Sequence, residues 1–474
     1  MLCVFKDAES VGILGPDSNR DKLLDFNVEF LQMSFNHCRT IKATGMKLIL
    51  VLILIVCGSF GVSAQAQKKR KILLEGATVH VGTGQVFEKG LVGIEGEEII
   101  LVRNSLAYTY ERSEWDTIID LNGQHLYPGF MAPNSTLGIT EIDAIRATND
   151  FSEVGVFNPH VRALIAYNCE SAVLETVRAN GVLMVQTTPR GGIITGSSSV
   201  MRADCWNWED GVMSQDDGIH LNWPSSLEGG GWWSDAPVKK RSENYAAEKR
   251  EITAFFDAAV AYSKGSKEKK DLRYEAMLAC FEGTKRVYIH ANELQELLDA
   301  IDFAKAYELK FPVIIGGYDS YMITERLKEA KIPVMLPRLH SLPVFEGDPV
   351  DLVYRLPSLL QAGGVKFCLQ NEGDMEAMNS RNIPFLAGTA MSYGLTEEEA
   401  IRSVSLSACE IVGIDKNYGS VQEGKNATLF VSSGSALDMR TNNVTLILVD
   451  GNFSSPATFQ TELYLKYKKK YGLN

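Results

Sequence analysis

Cysteine is scarce and unpatterned in this sequence. The eight residues (Cys3, Cys38, Cys57, Cys169, Cys205, Cys280, Cys368 and Cys409) include no C-x-x-C pair, so neither a cysteine zinc site nor a disulfide framework is signalled. There is no G-x-S-x-G, no P-loop and no glycine fingerprint for a dinucleotide. The sequence therefore lends no support to a serine nucleophile on an elbow or to a nucleotide-phosphate cradle. Positive charge is in deficit, with 47 Lys and Arg against 59 Asp and Glu and a net charge of -12. That balance argues against nucleic acid or an anionic lipid surface as a partner, because phosphate attraction needs a basic face. The basic runs 68–71 and 466–470 read as solvated flanks. An uninterrupted apolar stretch of about 20 residues, the length of a membrane span, is also missing.

What is present begins with Met46-Lys47, the aliphatic run 48–56, and then Gly58, Ser59, Gly61 and Val62-Ser63-Ala64-Gln65. The order basic, apolar, small is that of a secretory signal. We expect a signal peptide over 46–66, cleaved after Ala64 or Ala66, and a periplasmic or secreted product, with a retained membrane anchor as the lesser alternative. Export signals lie next to the initiator, so Met46 is the expected start and residues 1–45 an upstream, non-native extension.

Beyond the signal, β-prone runs at 72–74, 78–81, 91–94 and 99–102 are separated by glycines and charges and predict a small antiparallel sheet. From Leu126 the rhythm changes to short apolar runs alternating with amphipathic stretches. The spacing predicts strands over 287–291, 312–315, 333–336 and 365–369. Helices are expected over 293–307, 321–330, 351–361 and 375–382, where Leu294, Leu297, Leu298, Ile301 and Ala304 recur at helical intervals in the first. Consecutive βα units favour an α/β (β/α)8 barrel over an open sheet. Thr396 to Glu399 reads as a capping box and Gly413 as a left-handed helix end. Strands return at 428–431 and 444–449, with Asp450-Gly451 as a tight turn. The layout expected is a small composite β-sandwich from both termini (67–125 and 416–474) around a barrel at 126–415. Residues 205–262 hold five of the six tryptophans and Gly229-Gly230-Gly231. This segment reads as an insertion over the barrel mouth, either a surface anchor or a substrate-contacting lid.

Two motifs carry a resemblance to a known family. Tyr127-Pro128-Gly129-Phe130-Met131-Ala132, together with Gly419-Ser420-Val421-Gln422-Glu423-Gly424-Lys425-Asn426-Ala427-Thr428-Leu429, resembles the two ends of a metal-dependent amidohydrolase of the imidazolonepropionase-like branch. The likeness runs over roughly 70–455. Pro189 to Ser197 resembles a glycine-rich loop of secreted members. The resemblance implies a TIM-like barrel, hydrolysis of carbon-nitrogen, non-peptide bonds, and a divalent, zinc-type metal.

The ligand positions depart from that pattern. Where the resemblance implies a His-x-His pair, the chain has Asn134 and Thr136, and a carboxamide or hydroxyl is a weak neutral ligand. His290 matches the fifth-strand histidine. Gly316 stands at the sixth-strand histidine and Asn371 at the eighth-strand aspartate, and asparagine accepts no proton at neutral pH. Glu372 and Asp374 are candidate substitutes, with His340 and His160 as further ones. Two readings compete. In the first, a pseudoenzyme without cofactor uses the pocket at Asn134, Thr136, Gly316 and Asn371 to bind a small molecule or peptide, or forms a homo-oligomer or a hetero-oligomer with an intact homologue. In the second, an active hydrolase has rebuilt a metal or acid/base site around His290.

Overall fold

The computed structural model describes residues 69–228, 240–266 and 269–473. The expected signal peptide, the upstream extension, Trp232, Trp233 and the triple glycine lie outside the described residues.

One eight-stranded sheet draws on both ends of the described chain. It contains β1 (Lys71–His80), β2 (Val86–Glu95), β3 (Glu98–Asn104), β4 (Thr117–Asp120), β5 (His125–Pro128), and, from the far end, β16 (Leu429–Ser432), β17 (Val444–Val449) and β18 (Asn452–Ser454). The order is β18-β17-β16-β5-β1-β2-β3, with β4 beside β1. Strand alternation sends Ile72 and Leu74 to one face, against Leu429, Val431 and Leu448. Leu73 goes to the other, with Leu91 and Leu101. Gly93 is required there, since a Cβ would sit 2.3 Å from the Trp115 ring. Asp450 (φ 46°) and Gly451 (φ 74°) turn β17 into β18 with both residues left-handed, as the Asp-Gly pair predicts.

The second eight-stranded sheet is a nearly closed barrel. Its strands are β6 (Phe130–Ser135), β7 (Val182–Thr187), β8 (Ile194–Arg202), β9 (Val212–Asn222), β12 (Arg286–Ala291), β13 (Pro312–Gly316), β14 (Val334–Leu336) and β15 (Phe367–Leu369), and a short hairpin of β10 (Leu227–Glu228) and β11 (Lys240–Arg241) stands apart. The α/β barrel expectation is met with one departure: β8 runs antiparallel to both β7 and β9. Residues 205–262 also differ from expectation. They supply the barrel strand β9 and the helix Tyr245–Lys264. Trp223 is buried and donates from Nε1 to the Tyr245 hydroxyl (3.0 Å), fastening that helix, whereas Trp206 is 90% exposed.

Pro128-Gly129-Phe130 hands the chain from one sheet to the other. The Gly129 N–H donates to the Thr428 carbonyl (2.9 Å) and the Phe130 N–H to the Gly181 carbonyl (2.9 Å). Late in the chain, Thr396 and Glu399 form the predicted capping box on the helix Glu397–Val404, and Gly413 (φ 83°) ends the helix Leu406–Val412. Cys169 and Cys205 form a disulfide (Cα–Cα 5.7 Å), which corrects the expectation of none. The two are 36 residues apart, and it is the fold, not a spacing motif, that brings them together.

Inside the barrel the inward positions divide into two layers. Met131, Met184, Val200, Tyr288, Val313, Ile315, Met335 and Cys368 fill one end with Cys409 and Val412. Two residues further along the parallel strands the inward residues turn polar: Gln186 after Met184, His290 after Tyr288, and Gln370 after Cys368. The same two-residue period thus places polar groups at the strand C-terminal ends, where barrels of this kind build their sites.

Candidate functional site

The polar layer opens on a cavity of about 850 Å3 at the strand C-terminal ends. Asn134, Thr136, Asp143, Arg190, Thr195, His290, Glu372, Asp374 and Glu376 line it. Of the residues singled out from the sequence, the fold brings Asn134, Thr136, His290, Glu372 and Asp374 to this cavity. Gly316 and Asn371 are buried outside its lining. His340 is paired elsewhere, Nε2 to Thr389 Oγ1 at 2.7 Å, and His160 is exposed on the surface.

Asn134 organises one wall. It sits in the left-handed region (φ 48°), where asparagine is tolerated better than most residues, and β6 slips register against β7 at this point. Freed from the ladder, its N–H donates to Gln186 Oε1 (3.0 Å) and its carbonyl accepts from Arg190 Nη2 (2.8 Å). Its Nδ2 donates to Gln370 Oε1 (3.1 Å) and Glu372 Oε2 (3.3 Å), tying β6 to the chain that leaves β15. Behind it, Asp217 accepts from Gln186 Nε2 (2.8 Å), Ser198 Oγ (2.8 Å) and the Tyr288 hydroxyl (2.5 Å). Burial raises the Asp217 carboxyl, and these three donors oppose the shift.

His290 does not stand alone. Its Nε2 lies 3.0 Å from Nδ1 of His220, a fully buried histidine on β9 whose ring stacks on Tyr288 at 4.5 Å. Burial, reinforced by the charge of Arg190, pushes His290 down to about 3. Burial also holds His220 well below the ordinary imidazole range, with His290 and Arg190 adding to it. Both rings are therefore neutral at pH 7, and one donates to the other. Glu372 is shifted upward by burial, with Glu376 adding repulsion, and Asp143 upward by burial and then Glu376 and Asp374. Arg190 is paired with Glu376, Nη2 to Oε1 at 3.0 Å.

The profile of the amidohydrolase family matches residues 275–454. An amidohydrolase from Thermotoga maritima MSB8 shares 25% identity and a TM-score of 0.68, over 81% of this chain and 99% of that one. Over 275–454, and in its fold, the chain is similar to the amidohydrolase family. Amidohydrolase tasK of Hapsidospora irregularis is 19% identical over 383 residues, covering 74% of this chain. This chain spans 38% of the length of that relative. The A. niger ochratoxinase (13% identity, 83% and 99% of the two chains, TM-score 0.50) is alike in fold.

The residues at the positions where such a family implies metal ligands do not fit a divalent cation. Asn134 and Thr136 are neutral, and Asn134 directs its amide nitrogen at two acceptors. Gly316 (φ 94°) has no room for a side chain, because a Cβ would meet Asn292 Oδ1 at 2.3 Å. The Nε2 of His290 is engaged with His220. Among the described residues, no three His, Cys, Asp or Glu side chains are grouped to hold an ion.

The sequence reading missed His220, Arg190, Asp143, Glu376 and the Gln186–Asp217 pair. His220 was legible in principle: Ile219 and Leu221 flank it in strand alternation with Asn222. It was hidden because the tryptophans around β9 suggested an insertion. Arg190 lay within the glycine-rich loop, which was noted only as a family likeness.

Proposed function

We propose that this chain is an exported, catalytically impaired member of the amidohydrolase family that keeps the barrel-mouth cavity as a binding site for a small molecule or peptide. The observation that carries the reading is the replacement of the ligand set by a neutral, internally hydrogen-bonded one: Asn134 held by Gln186, Gln370 and Glu372, and His290 held by His220. A water attacking an amide needs a base or a metal to activate it. The position expected for the base is Asn371, whose Nδ2 is buried without a partner. The cavity itself is of ligand size. Export is supported by the Cys169–Cys205 disulfide, since such bonds persist in oxidising compartments. Among the described residues no helix is long and apolar enough to cross a membrane. Association with itself or with an intact homologue belongs to the same proposal.

A second reading is favoured by Glu372. A carboxylate with a raised pKa beside a cavity lined by a neutral histidine is an acid/base pair in the making, and it would serve a hydrolase of carbon-nitrogen, non-peptide bonds. Mature protein beginning at Gln65 should be screened by thermal shift against a metabolite library and assayed on N-acyl and cyclic amides. The binding reading expects at least one compound to raise the melting temperature, with no turnover. Turnover lost in His290→Ala or Glu372→Gln would instead establish the hydrolase.

A further inference from the structure

The cavity is electrostatically one-sided. Four carboxylates line it, Asp143, Glu372, Asp374 and Glu376, against the single guanidinium of Arg190. That guanidinium is committed, through Nε (3.1 Å) and Nη2 (3.0 Å), to Glu376 and, through Nη2 (2.8 Å), to the Asn134 carbonyl. The histidine that lines the cavity brings no positive charge, because its ring is neutral. Asp143 is raised by burial and then by Glu376 and Asp374; Glu372 is raised by burial, with Glu376 adding to it while Gln370, Arg190 and Arg338 oppose the shift.

A second observation is independent of charge. Asn134 is 1% exposed, and its Oδ1 has no hydrogen-bond partner although the residue lines the cavity. Its orientation follows from Glu372, since Nδ2 donates to that carboxylate and a flipped amide would set its oxygen against it. Thr195, 3% exposed, also lines the cavity with an unpartnered Oγ1. A buried acceptor without a donor is costly unless a ligand or a water supplies one. Apolar surface is present as well: Phe151, Pro189 and Met375 share the lining.

Resting on the ligand-binding reading above, we infer that the cavity takes a protonated amine, specifically the free N-terminus of a short peptide, with the ammonium donating to the Asn134 carboxamide oxygen among the carboxylates and the adjoining side chain against the apolar wall. An ammonium carries three donors and no acceptor, which matches acceptors of this kind.

The test is calorimetric titration of the mature chain with Ala-Phe-amide, its N-acetyl derivative and its N-succinyl derivative, which differ in N-terminal charge. The free amine should bind about tenfold or more tighter than the acetyl form, with the succinyl form weaker still. Asp374→Asn, on an exposed residue, and Glu372→Gln should each weaken the free amine and leave the acetyl form unchanged; the first guards against a folding defect in the second. Equal or tighter binding of the acetyl or succinyl form overturns the ammonium assignment and leaves ligand binding standing. Absence of heat from all three overturns the inference too, while a stabilising compound of another class in the library screen would keep the broader reading.

Discussion

Replacing His290 with glutamine should change how stability depends on pH. His290 is displaced from 6.5 to about 3 in the folded chain, so between those values the unfolded chain binds a proton that the folded chain refuses. Stability from this group is fully present above pH 6.5 and is lost as the pH falls toward about 3. Each pH unit is worth roughly 1.4 kcal/mol, so going from pH 6.5 to 4.5 removes about 2.7 kcal/mol at most. The ring opens on a solvent-accessible cavity, and screening there reduces the expected loss to about 1–2 kcal/mol. Glutamine at this position does not titrate, whereas the carboxylates are common to both proteins and largely cancel. Urea unfolding of wild type and His290→Gln at pH 7.0, 5.5 and 4.5 should therefore show the wild type losing about 1–2 kcal/mol more than the variant. Parallel losses at all three pH values would refute the neutral, buried histidine pair.

Other consequences are open to simpler measurements. Reducing the Cys169–Cys205 bond, or changing both cysteines to serine, should cost roughly 3–4 kcal/mol in urea unfolding if loop entropy dominates; identical midpoints would contradict a formed disulfide. Thr396→Ala removes the cap that Glu399 N–H uses and should cost about 1 kcal/mol by the same method, with Thr396→Ser recovering most of it. Gly316→Ala combines a left-handed backbone with a 2.3 Å approach to Asn292 Oδ1 and should destabilise by more than about 1 kcal/mol. A neutral Gly316→Ala in thermal melts would mean that the sixth barrel strand ends differently.

Most of the barrel was legible because its signals are local. The run from β12 to β15 alternates short apolar strands with helical repeats, and the Thr396 box and Gly413 cap depend only on neighbouring residues. What the sequence obscured is of two kinds. The antiparallel β8 and the barrel strand β9 depend on which neighbour each strand pairs with, and no periodicity within a strand reports that. The disulfide and the histidine pair join residues far apart in the chain, 36 positions for Cys169 and Cys205 and 70 for His220 and His290. The candidate site followed the same division. Asn134, Thr136 and His290 were found by their place relative to a motif, and they do line the cavity. Asp143 and Arg190 come from loops and Glu376 from the start of the short helix Glu376–Asn379, and their convergence belongs to the tertiary fold.

The central claim is that this amidohydrolase-like chain carries a neutral, hydrogen-bonded set where the family it resembles implies metal ligands. It is tested most directly by elemental analysis by mass spectrometry on the mature chain, purified without affinity metals and then offered zinc, manganese and iron. The account predicts no retention of any of them after desalting. Near-stoichiometric retention of one, lost in His290→Ala, would contradict it and put a rebuilt hydrolytic centre in its place.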